Sequence, residues 1–194
     1  VGKIIHGNEI ISGDDLQILK WQLGQESIRL LKVVKRCRFG YPMVILLNPM
    51  TEEDKVDYKS ISNPMWLTCP FLNKKIHELE SNGYIIKVKE FIDSDPDNIE
   101  IMRNAHVNYY YLRRSIFNMN FTLGEAFGKY SKILSSGVGG TKDIEHVKCL
   151  HQHFGHFLVC NDNIVGRVVN GLLDGIINCQ EEMCKDAVNR ESDP

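Results

Sequence analysis

The chain has no long hydrophobic run; Met43-Val44-Ile45-Leu46-Leu47, its longest unbroken apolar stretch, has only the length of a strand. A bilayer span needs roughly 20 apolar residues, so a transmembrane helix is excluded. An excess of positive charge is also missing, since 23 Lys and Arg face 25 Asp and Glu for a formal net charge of −2. Strong nonspecific nucleic-acid binding draws on global basicity, so any such contact here is local and nucleic acid is not a favoured partner. Internal repeats and low-complexity tracts are absent. No C-x2-C pair occurs, which removes the usual clustered spacing of an iron–sulfur site. The start, Val1-Gly2-Lys3-Ile4-Ile5-His6, carries neither the apolar stretch nor the small-residue cleavage site of a secretory signal. Together these features predict a cytoplasmic protein.

With 194 residues, of which 43% are hydrophobic, the chain can bury a core of its own. The prediction is a single α+β domain over residues 1–188, a small mainly antiparallel sheet packed against several helices, followed by a frayed polar tail at 189–194. Asp14 and Asp15 suit the first turn of a helix that follows Ser12, carries Leu16, Leu19 and Leu23, and leaves at Gly24. Ile28 to Val34 and Met43 to Leu47 read as strands of a hairpin with Cys37 at its tip. Met65-Trp66-Leu67 reads as a third strand, and Pro70 as the first position of a helix running to Asn82-Gly83. Tyr84 to Val88 is expected to be a fourth strand. A long helix should carry Ile99, Met102, His106, Tyr109 and Leu112, and others should begin near Asp143 and run from Ile164 toward Met183. The stretch Asn118 to Lys132 is ambiguous.

Six cysteines could make three disulfides, but a chain with this core has no need of such staples. In a reducing compartment, metal binding or thiol chemistry is the expected use. Cys160, Cys179 and Cys184 lie in or beside apolar segments read as helical and are expected to act as small hydrophobes. The other three belong to segments of a different character: Arg36-Cys37-Arg38-Phe39-Gly40, Leu67-Thr68-Cys69-Pro70, and Lys148-Cys149-Leu150-His151-Gln152-His153-Phe154-Gly155-His156. Thiolate and imidazole are the donors that zinc and iron–sulfur centres use. On an uninterrupted helix Cys149, His153 and His156 share one face and His151 lies nearly opposite. If Cys149 instead precedes the helix, His151 can turn inward and join it.

These residues resemble a known family, the bacterial proteins grouped as domain of unknown function 501. The resemblance rests on Gln22-Leu23-Gly24, Cys37 with Gly40 and Pro42, Leu67-Thr68-Cys69-Pro70, Ser136-Gly137-Val138-Gly139-Gly140, Val147-Lys148-Cys149-Leu150-His151 with Gly155-His156, and Asp162-Asn163-Ile164-Val165-Gly166. It implies Cys37, Cys69, Cys149, His151 and His156 as the metal-binding set and leaves His153 outside the pattern. The chain departs from the family at Ile164, where members often have Pro, and at Arg38-Phe39, where some carry a second cysteine. The family name implies no activity.

Three cysteines with one histidine would make a closed structural zinc site, and fewer protein ligands would leave a position for water. Zinc is the expected cofactor, with an iron–sulfur cluster as the alternative. A second function class is a metal-free thiol enzyme using Cys69, favoured by a helix N-terminus, or Cys149 beside His151 as nucleophile. A third is a phosphate or nucleic-acid module in which Gly137, Gly139 and Gly140 present amides to an anion. No Gly-Lys-Ser/Thr follows those glycines, so they form no Walker A loop. Helix phase and family pattern converge on His156 as a ligand.

Overall fold

The computed structural model describes residues 13–53, 55–118 and 125–188. The polar tail at 189–194 and the expected cap Ser12 lie outside them. Three antiparallel strands, β1 (Leu30–Arg36), β2 (Pro42–Leu47) and β3 (Met65–Leu67), lie in sequence order, with Val33 opposite Ile45 and Val44 opposite Leu67. Every residue of the central strand β2 is buried. Its side chains alternate, as the two-residue period of a strand requires. Ile45 and Leu47 join Leu19 of helix α1 (Gly13–Leu23) on one face, while Val44 and Leu46 enter the main core on the other.

That second face is covered by helices α3 (Pro70–Ser81), α4 (Tyr84–Asp93), α5 (Pro96–Asn118), α7 (Leu150–Cys160) and α8 (Ile164–Leu172), which bring in Leu72, Ile76, Val88, Ile92, Met102, Tyr109, Phe154 and Val165. Between β2 and β3 sits the short α2 (Tyr58–Ser62), and α6 (Glu125–Leu134) resolves part of the ambiguous stretch as helix. No helix among the described residues is long and apolar enough to cross a membrane.

Three expected elements differ. Tyr84 to Val88 is the start of helix α4, because Val88 and Ile92 bury one helical stripe while Ile86 and Phe91 face out. No helix begins at Asp143. There Thr141 Oγ1 accepts from the Asp143 amide and Asp143 Oδ1 from the Glu145 amide, and such side-chain bonds offer the backbone turns in place of a helix. The last helix stops at Leu172, where Asp174 and Gly175 take positive φ, and residues 173–184 run on without regular structure to the short α9 (Lys185–Val188). Cys179 and Cys184 therefore do not lie on a helix.

Candidate metal centre

Helix α7 begins at Leu150, and Cys149 is its extended N-cap residue (φ −155°, ψ 119°). This is the condition under which His151 comes round to the thiol. The start of α7 is pinned from α3: the Leu150 amide donates to Glu80 Oε1 at 2.7 Å. The other carboxylate oxygen, Oε2, stands 3.2 Å from His151 Nδ1, and His151 Nε2 donates to the Asn73 carbonyl at 3.2 Å. Since a carbonyl only accepts, the proton belongs on Nε2 and Nδ1 is left facing the carboxylate. Cys149, His151 and Glu80 each offer a ligand atom, and the three atoms lie within 4.8 Å of one another. Among the described residues no other group of three or more Cys, His, Asp or Glu converges so closely.

All three side chains are half-buried, open enough for an ion to enter. Burial pushes the Cys149 thiol up, and the Glu80 carboxylate adds to the rise against the opposing amides of Gln152 and His151. A neutral, protonated thiol is a poor nucleophile, whereas a bound cation favours the thiolate.

The remaining residues of the sequence-based set stand elsewhere. Cys37 and Cys69 line a small cavity at the other end of α3, and burial pushes the Cys69 thiol up to about 11. His156 and His153 are fully buried on the inner side of α7, where Asn163 joins them: His153 Nδ1 donates to Asn163 Oδ1, and Asn163 Nδ2 donates to His156 Nδ1, each at 3.2 Å. Asn163 Oδ1 also caps α8 by accepting from the Gly166 amide. His106 completes this cluster, packing edge-on against His153 with its Nδ1 accepting from the Val138 amide at 3.0 Å.

The glycine segment has work inside the fold. The Gly137 amide donates to the Thr141 carbonyl, the Val138 amide to His106, and the Gly140 amide to the Gly137 carbonyl. A Cβ on Gly137 would lie 2.3 Å from His106 Nδ1. Beneath the loop the buried Arg113 donates to the carbonyls of Ser62, Ser136 and Gly137.

Glu80 was invisible to sequence reasoning, being one of 25 acidic residues with no spacing relation to Cys149. The fold and the cluster define an α+β protein with a Cys/His/Glu group at a helix N-terminus. A family model described as protein of unknown function (DUF501) matches residues 33–171, and the chain belongs to that family. Neither a curated protein nor a solved structure matches it.

Proposed function

We propose that Glu80, Cys149 and His151 bind one divalent metal ion, zinc first, and that the protein works through this centre. The observation that carries the reading is the pair of facing acceptors, His151 Nδ1 and Glu80 Oε2, 3.2 Å apart beside a thiol. Two acceptors at that distance repel one another, and a metal ion between them, or a proton on Nδ1, relieves that repulsion. Nitrogen and oxygen ligands of tetrahedral zinc stand about 3.3 Å apart, given bonds of about 2.0–2.1 Å. The Nε2 bond to the Asn73 carbonyl is the kind of outer contact that fixes a ligating histidine's tautomer. Three protein ligands leave a position for water, whose pKa zinc lowers toward about 7, giving a nucleophile at neutral pH.

A proton on Nδ1 would satisfy the same pair and leave a thiol–imidazolium site, so the test must separate the two. Protein purified without a polyhistidine tag is assayed for metal and then as Cys149→Ser, His151→Ala and Glu80→Gln. Each variant should lose about one equivalent per chain, and crystals should give zinc-edge anomalous signal between the three side chains. Full metal retention in Cys149→Ser overturns the reading. Absence of that signal together with selective alkylation of Cys149 at neutral pH assigns the site to thiol chemistry instead.

A further inference from the structure

Four of the six cysteines line one enclosed cavity, and they come from three distant parts of the chain. Cys37 is at the turn of the β1–β2 hairpin, Cys69 is the N-cap of α3, and Cys179 and Cys184 lie on the irregular segment after α8. All four are free thiols. Cys69 and Glu80 sit at opposite ends of α3, separated by about 16 Å of helix, so this cavity is distinct from the centre described above. We propose that Cys37, Cys69, Cys179 and Cys184 form a second metal site, a four-thiolate ring that takes a thiolate-seeking metal group, either a single zinc ion or an iron–sulfur cluster.

The packing around the cavity supports this use. Cysteine as a small hydrophobe accounts for the buried Cys69 and Cys184 and for Cys37, which packs against the main core, but not for the half-buried Cys179 that lines the same space. A donor is aimed at one sulfur: Gln22 Nε2 donates to Cys184 Sγ at 3.4 Å. Gln22 Oε1, by contrast, is buried on this cavity without a hydrogen-bond partner among the described residues.

The segment that carries Cys179 and Cys184 has no helix or strand to hold it, yet it is clamped to the hairpin turn at three points. The Arg38 amide donates to Asn178 Oδ1 at 3.0 Å, Arg38 Nη2 to the Gln180 carbonyl at 2.8 Å, and Tyr41 Oη to Glu182 Oε1 at 2.5 Å. Bonds of this kind near the surface contribute little each, while a metal on four thiolates closes a loop of more than a hundred residues and adds its binding energy to folding. Each thiol gives up its proton on binding. No three of the sulfurs lie within 4.8 Å of one another, and tetrahedral Zn–S bonds of about 2.3 Å set sulfurs about 3.8 Å apart. Either occupant therefore requires the ring to adjust, a single ion by drawing the sulfurs inward and a cluster by widening a cavity that now holds little more than a water.

The test is made in the Cys149→Ser background, so that its outcome is independent of the Glu80 centre. Untagged protein is expressed with zinc and iron supplied, purified without oxygen, and assayed for zinc, iron and acid-labile sulfide. About one zinc per chain, or iron with matching sulfide and visible absorption, supports the site and tells its two occupants apart. Adding Cys37→Ser or Cys179→Ser, both half-buried positions where folding is least at risk, should remove most of that metal with the circular dichroism unchanged. Cys160→Ser, outside the cavity, should retain it. Metal-free protein with all four thiols titratable, a disulfide among them, or full metal content after Cys179→Ser would each overturn the proposal.

Discussion

On the outer face of α7, His151 is partly open to solvent, its Nε2 donating to the Asn73 carbonyl and its Nδ1 facing the Glu80 carboxylate. On the inner face, His153 and His156 are sealed from water and share Asn163, and the Nε2 atom of each has no hydrogen-bond partner among the described residues. The residue type is the same and the helix is the same. What differs is the facing carboxylate and the route to solvent, which only His151 has. On the inner face burial holds the rings neutral, pushing His156 and His106 down to about 4 and His153 to about 3. A cluster of histidines in a sequence is thus no guarantee of one site.

Acid should strike the inner face hardest. In the unfolded chain His106 and His156 take up protons below a pKa of about 6.5, but in the folded protein only near 4. Their contribution is therefore present above pH 6.5 and lost as the pH falls toward 4. The expected cost is on the order of 5 kcal/mol between pH 7 and pH 4. Urea denaturation across that range reads it, and His106→Gln with His156→Gln should flatten the profile. A wild-type stability that stays level down to pH 4.5 would remove the distinction between the faces.

Next in size is Gly166→Ala. Its Cβ would meet Phe157 Cβ at 2.2 Å and the His153 backbone carbonyl at 2.8 Å, so α7 and α8 must part, at about 3 kcal/mol. Gly137→Ala presses on the His106 ring instead, with a cost of about 2 kcal/mol. Both appear as a lower Tm, and neither should change how much metal the folded fraction holds. An unaltered Tm for Gly166→Ala would mean the two helices are not packed this closely.

His151→Ala should do least to stability, within about 1 kcal/mol when measured with chelator present, because the ring is partly exposed. The same variant should lose the metal of the Glu80 centre. His156→Ala should reverse this pattern, lowering Tm while the centre keeps its metal. If instead His156→Ala empties the centre of a folded protein, the division between the two faces fails.

What the sequence could reveal follows from what is local. The short apolar run Met43 to Leu47, the Pro70 start of α3, the leucines of α1 and the long repeat of α5 each depend on neighbours a few residues apart, and these elements form where they are expected. Tyr84 to Val88 defeats the same reasoning because a short apolar run fits both periods until packing selects one. The five residues implied as one metal set do not share one place: Cys37 and Cys69 line a separate cavity, His156 lies in the core, and the start of α7 with Cys149 and His151 meets Glu80, from a helix seventy positions earlier. Cys179 and Cys184, read as fillers on a helix, reach Cys37 through the Arg38 and Tyr41 clamps across about 140 residues. Residue types and local periods were in the sequence by itself, because they act over one or two turns of chain. Which carboxylate faces which imidazole, and which thiols share a cavity, came only with the packing of α3, α7 and the segment after α8, because such meetings depend on the whole core.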